Sequence, residues 1–436
     1  MVQPDAIAAA VLDVFDKLPA NRKPAVRSNG VREWVPLSGI VAELENGDLV
    51  CLALATGMKC LPVSKMSQCK GVGIHDWHAE VLALRAFNRF VLQECRDVLL
   101  NGDESPFLQV RQKAEDDGKD QGVTELENIW DSQPFEWRKG VALHMYCSEA
   151  PCGDASMELT MAAQDDASPW EPAATAAPEE GADITVTAPM LSGRGFFSRL
   201  GTVRRKPGRA DAPPTLSKSC SDKLALRQCT TLLGGLASLL VAPSLELYLS
   251  SVVLPVTQYS ETGCQRCFSA KEPLGRLSSL SGRTWPGGYE FLPFTVRTTS
   301  LEFSYSKRSP SMSSAPNTSS NLSVVWTLNG INECLVNGVL RGRKAFDPTG
   351  ASAVSRRQLW KLAQQVTDEL QSKSQPAVDS ESLKALQEVF GHIDYDSVKG
   401  APLLAARESV KEDAKSHALH GWVKNENDGS WGLDTI

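Results

Sequence analysis

The sequence predicts a single α/β domain over residues 1–436, a mixed sheet with helices on both faces and a helical C-terminal part. Three observations lead there. Strand-type runs alternate with helical ones through most of the chain, which favours one layered domain over a string of modules. From Arg356 onward the pattern is almost wholly helical. No internal repeat interrupts either trend.

The elements follow in order. MVQPDAIAAAVLDVFDKLP lacks a basic start and carries acids within its apolar stretch, so it reads as an amphipathic helix and not as a signal peptide. VREWVPLSGIVAEL and DLVCLALATG are alternating or apolar and rich in β-branched residues, as paired strands are. In HAEVLALRAFNRFVLQEC the apolar positions Val81, Leu82, Leu84, Phe87, Phe90 and Val91 recur at helical spacing. Residues 101–127 are acidic and polar, a surface excursion. VALHMYCS reads as a buried strand, and PCGDASMELTMAA as the helix after it.

Residues 161–192, rich in Ala, Pro, Asp and Glu, form a low-complexity acidic insertion expected to be flexible. Helical character resumes with SDKLALRQCTTLLGGLASLL, and LELYLSSVVLP supplies another strand. A second such insertion, Ser/Pro-rich and likewise expected to be flexible, covers about 304–321. SVVWTLNG and INECLVNGVLRG continue the sheet, and LWKLAQQV, LKALQEVF and VKEDAKSHALHGW are the strongest C-terminal helices.

The hydrophobic fraction of 42% is ample for a core. No run approaches the roughly 18 to 20 apolar residues of a membrane-spanning helix. Eleven cysteines at scattered spacings argue for reduced thiols and a cytoplasmic or nuclear address. The net charge of −7 hides an asymmetry. Asp165, Asp166, Glu171, Glu179, Glu180 and Asp183 stand together without a basic residue, whereas residues 194–223 carry eight Lys or Arg against two acids. A phosphate backbone meets local charge, not the sum.

Three short segments carry chemistry: His78-Ala79-Glu80, Pro151-Cys152-Gly153-Asp154 and Ser219-Cys220-Ser221-Asp222-Lys223. The first two each open a helix that follows a strand or loop, which aims their side chains into a crevice at the sheet edge. One His and two Cys form a set that zinc accepts, with a fourth tetrahedral position left for water. Zinc of that kind lowers the pKa of its water to about 7. Glu80, two residues from His78, is placed to move protons: from that water to N1 of a purine, then to the amino group departing from C6. Cys264-Gln265-Arg266-Cys267 is a lone CxxC without a second pair nearby, and reads as two ordinary thiols.

These motifs resemble the editase family, the adenosine deaminases acting on RNA, whose catalytic domain has a cytidine-deaminase-like core. Cytidine deaminases keep their two cysteines together as P-C-x-x-C. Here Cys152 is followed by Gly-Asp-Ala, and Cys220 comes far downstream within S-C-S-D-K. The likeness runs from TGMKC at 56–60 through VVWT at 324–327 to GWV at 421–423. Within the family, residues 200–226, LGTVRRKPGRADAPPTLSKSCSDKLAL, are most similar to fungal members of the branch that converts A37 of alanine tRNA to inosine.

That resemblance implies a tRNA partner, with neither DNA nor a membrane, and a monomer gripping its substrate on the deaminase surface. It also implies a buried inositol hexakisphosphate. By position, Arg85, Lys223, Arg356, Tyr395, Lys399 and Trp422 match the family's ligands to it. Leu84 and Leu226 stand where many relatives carry arginine, so the cage is expected either to be thinner here or to be completed by Arg227 or Lys411. The basic stretch before Cys220 lies next to the chemistry. Arg204, Arg205, Lys206 and Arg209 are expected on tRNA phosphates, with Arg194 near the displaced base.

Overall fold

The computed structural model describes residues 2–102, 105–112, 130–163, 191–192, 199–206, 212–309, 312, 316–373, 379–425 and 428–434. Eight strands make one sheet: β1 (Leu37–Glu43), β2 (Leu49–Thr56), β3 (Ala142–Cys147), β4 (Leu249–Pro255), β5 (Thr295–Thr299), β6 (Leu322–Thr327), β7 (Asn332–Val336) and β8 (Val339–Leu340). Their order across the sheet is β5-β4-β3-β1-β2-β6-β7-β8. The β3, β4 and β5 strands run parallel, and the remaining pairings are antiparallel. It is the mixed sheet that the alternation of elements predicts.

Both faces are covered, and the strand period shows how. Leu143 and Met145 of β3 face one core, whereas Tyr146 faces the other; in β4, Val252 and Leu254 oppose Val253 in the same way. Helix α1 (Pro4–Asp16) lays Ile7, Ala8, Val11 and Phe15 on one face. It comes so close that a Cβ at Gly39 would lie inside Val11. Helix α2 (Ala79–Asn101) buries Phe87, Phe90 and Val91 on the other.

Short helices follow: α3 (Met157–Ala162), α4 (Cys220–Thr230), α5 (Gly235–Leu240) and α6 (Glu261–Phe268). The C-terminal part is helical as expected, with α7 (Arg356–Ser372), α8 (Ser380–Phe390), α9 (Tyr395–Lys399) and α10 (Ala405–His417). Among the described residues no helix is long and apolar enough to cross a membrane.

Two elements and one segment differ from the sequence reading. β5 is a half-exposed edge strand, TVRTT, without the apolar alternation that marks the others. Helix α6 is held by an N-cap, with Ser260 accepting from the Gly263 amide, over a sequence read only as a CxxC. The Ser/Pro-rich stretch is built into the fold where it is described. Asn317–Ser319 pairs in parallel with Arg32–Trp34, and Ser306 donates its hydroxyl to the Ser148 carbonyl at 3.1 Å. Of the acidic insertion, residues 164–190 lie outside the described residues.

The topology brings three chain segments to one edge. The ends of β2 and β3 point the same way, because both are antiparallel to β1 between them. Loops following parallel-running strands open a crevice at their carboxyl ends. The start of α4 joins them there, with the Cys220 amide 3.4 Å from Cys152 Sγ.

Candidate active site

His78 is the residue just before α2, and Glu80 lies in its first turn. Backbone bonds fix this corner: Ala79 donates to the Gly57 carbonyl at 2.9 Å and Trp77 to Lys59 at 3.0 Å. Gly153, with φ of 107°, makes the turn between Cys152 and Asp154, and a Cβ there would land on the Ser219 hydroxyl. Ser219 caps α4 by accepting from the Asp222 amide at 3.1 Å, so the helix begins at Cys220 itself. Thiol and carboxyl groups thus sit at helix starts, where aligned amides favour negative charge.

The three sequence motifs meet. Cys220 Sγ lies 3.2 Å from Glu80 Oε2. Glu80 and Cys220 are buried, and the His78 side chain is 17% exposed. Its Nδ1 is 2.8 Å from Asp76 Oδ1 and 3.6 Å from Cys60 Sγ. Among the described residues, Cys60, Asp76 and His78 place donor atoms within 4.8 Å of one another, a possible metal-holding group.

Asp76 is the hub. Its Oδ2 accepts from Lys206 Nζ at 2.8 Å, from Ser217 and from Lys223. Lys206 Nζ in turn lies 3.2 Å from Cys220 Sγ. Burial opposes the charge on Asp76, but Lys206, Lys223 and His78 hold its carboxyl well below the usual range. Burial also works against an imidazolium at His78. Cys60, Asp76 and Cys152 outweigh it and raise that ring to about 10, the mark of a pocket that favours a cation. A hydrogen bond from Cys220 holds the Cys152 thiol well below its ordinary value despite burial. Glu80 moves the other way: burial, and then Cys152, push its carboxyl up. A carboxyl raised in this manner holds a proton more readily than an ordinary one, which suits it to both taking and giving one.

Behind this site lies a cavity of about 370 Å³. Arg85, Lys223, Arg356, Tyr395, Lys399 and Trp422 line it, and so do Arg227 and Lys411. Arg407 joins them and was not singled out from the sequence; it shares a helix face with Lys411, four residues on. Glu408 is the carboxylate of that lining. Arg227 donates to the Thr231 and Leu233 carbonyls, and Arg407 to those of Thr230 and Leu233. Burial lowers Arg227 to about 9 and Lys411 to about 8, with Arg407 adding repulsion to both. Leu84 and Leu226 reach the same space as apolar wall.

The basic stretch needs correction. Arg204 is 1% exposed and Lys206 4% exposed, both packed inside the fold, so neither meets an RNA phosphate. Their charge is drawn inward: the Arg204 guanidinium is balanced by Asp154 and Asp222, and Lys206 binds Asp76 and Cys220. Arg205 stays half-buried. Arg194 and Arg209 lie outside the described residues. Asp76 was not singled out from the sequence; the signal that could have found it is D-W-H-A-E, since a carboxylate beside a candidate ligand histidine is the usual partner of its second ring nitrogen.

The adenosine-deaminase (editase) domain matches residues 53–426, from within β2 to beyond α10. The chain belongs to that family. The editase domain here is also similar to three proteins called tRNA-specific adenosine deaminase 1. It is 36% identical to that of Schizosaccharomyces pombe over 84% of this chain and 86% of the relative. Identity is 33% with the Saccharomyces cerevisiae protein, over 52% of this chain and 53% of the relative. It is 29% with that of Drosophila melanogaster, over 56% and 53%. The matched region of the editase domain contains every residue of the site and cavity described above.

Proposed function

We propose that this chain converts adenosine to inosine in tRNA, with A37 of alanine tRNA as the target, using one zinc ion. The observation that carries the reading is the buried contact between Glu80 and Cys220, with Cys152 and His78 beside them. It combines a raised proton-carrying carboxyl with soft donors for a metal.

The donor set fits zinc. Cys152 is held toward thiolate, and thiolates with an imidazole are zinc's preferred ligands. Asp76 engages Nδ1 of His78, which leaves the other ring nitrogen for the metal. The oxygens of Asp76 are already committed to Lys206, Lys223, Ser217 and His78, so it orients the ring and does not serve as a ligand. His78, Cys152 and Cys220 are therefore the ligands in this reading. Zinc, when bound, activates a water at neutral pH.

The residues do the rest. Glu80 accepts the proton of the attacking water and hands it to N1 of the adenine, so that C6 becomes electrophilic. It then takes the second proton from the new C6 hydroxyl and delivers it to the departing amino group, so that the C6–N bond breaks and ammonia and inosine remain. Lys206 keeps positive charge against Cys220 throughout, because Asp76 and the thiols raise it well above its ordinary value in spite of burial. Adenosine in a tRNA loop is already unpaired, and displacing it from its neighbours costs least there.

Inositol hexakisphosphate suits the cavity behind the site. Arg227 and Arg407 each place donors on backbone carbonyls and carry charge that Glu408 alone does not balance. Buried cations without counter-charge are costly, and a polyanion supplies it. Arg85, Lys223, Arg356, Lys399 and Lys411, with Tyr395 and Trp422, would hold its phosphates.

The deciding experiment incubates purified protein with total tRNA and sequences the product for inosine. Inosine at one anticodon-loop position, absent with Glu80→Ala, is the expected result. No inosine in any tRNA, from protein that holds zinc, rejects the substrate.

A further inference from the structure

The two cysteine-bearing turns are alike in one respect. Each carries an aspartate two residues past its cysteine, Asp154 and Asp222, and both side chains are fully buried. Each aspartate divides its two oxygens in the same way. One oxygen accepts a backbone amide of the segment 199–206: Gly201 N at 2.9 Å on Asp154 Oδ1, and Arg204 N at 2.9 Å on Asp222 Oδ2. The other accepts a guanidinium: Arg266 Nε at 2.9 Å on Asp154 Oδ2, and Arg276 Nη1 at 2.7 Å on Asp222 Oδ1.

The two arginines are themselves joined. The Arg276 amide donates to the Arg266 carbonyl at 3.0 Å. Arg276 also donates Nε to the Cys267 carbonyl at 3.0 Å and approaches Cys267 Sγ at 3.2 Å. Arg266 reaches further, with Nη1 and Nη2 on the two oxygens of Glu158 at 2.6 and 3.1 Å, and Nη2 on the Asp154 carbonyl at 3.0 Å. The CxxC segment thus has a use that its sulfurs do not reveal: it carries one arginine and anchors the other.

We propose that Arg266 and Arg276 are positioning residues, a two-guanidinium brace that sets Cys152 against Cys220 and seats the strap bearing Lys206 on Cys220. The inference rests on the metal reading above. Its logic is geometric. Cys152 and Cys220 come from turns far apart in sequence, which meet through the Cys220 amide on Cys152 Sγ and through Ser221, whose amide donates to the Cys152 carbonyl at 3.0 Å and whose hydroxyl donates to the Pro151 carbonyl at 2.9 Å. The brace ties the two turns through rigid, forked donors, which a single ammonium cannot reproduce. The same aspartates fix Gly201 and Arg204, and Ser219 N on the Arg204 carbonyl at 2.8 Å closes the strap onto α4. Lys206, two residues on, is delivered to Cys220 by that closure.

The test uses the full chain and two readouts that do not depend on turnover. Zinc affinity is measured by competition with a chromophoric chelator, and ligand geometry by the visible spectrum of the cobalt-substituted protein. Wild type should show thiolate-to-cobalt charge transfer; its absence rejects the metal reading and the brace with it. Arg266→Lys and Arg276→Lys keep the charge but lose the fork. Each should weaken zinc binding by roughly 10- to 100-fold and shift the cobalt bands, the size seen when partners behind metal ligands are lost. Glu158→Gln, on a partly exposed site, loosens only the outer grip on Arg266 and should show a smaller loss in the same direction, even if the lysine variants fold poorly. Wild-type affinity and an unshifted cobalt spectrum in folded lysine variants overturn the brace. The same result in Glu158→Gln overturns its Arg266 half.

Discussion

Lys206 and Asp76, 130 residues apart in sequence, form a buried ion pair of 2.8 Å. The lysine belongs to the most basic stretch of the chain, yet it serves the interior. Removing one member of a buried pair strands the other, at a cost of about 3 to 5 kcal/mol. Lys206→Met should therefore lower stability by that order in urea unfolding. It should leave the salt dependence of tRNA binding untouched. Arg205→Gln, next door and half-buried, should instead reduce the salt slope by about 1 with little change in stability. A reduced salt slope in the Lys206 variant would return that residue to the RNA surface.

Glu80→Gln keeps the shape of the carboxyl and removes its proton chemistry. General acid–base groups contribute on the order of 10²- to 10⁴-fold. Inosine formation should fall by at least the lower figure, while zinc content measured by elemental analysis stays at wild-type level. Retained activity in the zinc-loaded variant would mean that another group moves the proton.

The sheet and the C-terminal helices were legible because burial on one or both faces imposes a period that the sequence must obey, as in VALHMYCS and LWKLAQQV. β5 and α6 escaped for the same reason: an edge strand that fully buries only its last residue and an eight-residue helix bury too little to set a period. At the site, His78, Glu80, Cys152 and Cys220 stood out because each has a chemically distinctive neighbour in sequence. Arg204 and Lys206 misled because sequence shows charge but not its counter-charge. Their partners, Asp154 and Asp222 for Arg204 and Asp76 and Cys220 for Lys206, arrive through tertiary contacts.

Arg227 and Arg407 predict a requirement for polyanion during folding. Protein unfolded in urea and diluted with inositol hexakisphosphate should recover native stability and activity. The same dilution without it should recover neither, and native mass spectrometry of protein as purified should show the added mass. Replacing Arg227 and Arg407 together by methionine removes the uncompensated charge, and should lessen the penalty of refolding without phosphate while weakening its capture. Full recovery of wild type from phosphate-free refolding would empty the cavity of this role.

Asp428 ties the C-terminal segment to the core, with its Oδ2 2.7 Å from Arg356 Nη1 and 3.3 Å from His75. Burial alone would raise its carboxyl, but the bond to His75 and the charge of Arg356 hold it below the ordinary value. The sign follows from that direction. A carboxyl with a depressed folded value adds stability that is complete above its unfolded value, near 3.9, and that fades as pH falls toward the folded one. Trp431, stacked on Tyr395 at 4.9 Å, packs beside the same segment and reports on it. Acidification from pH 5 should therefore loosen this segment in the acid limb, seen as a change in tryptophan emission. Asp428→Asn should be less stable than wild type at pH 7 and should lose part of that acid dependence. An acid limb identical in wild type and variant would assign the transition to other carboxylates.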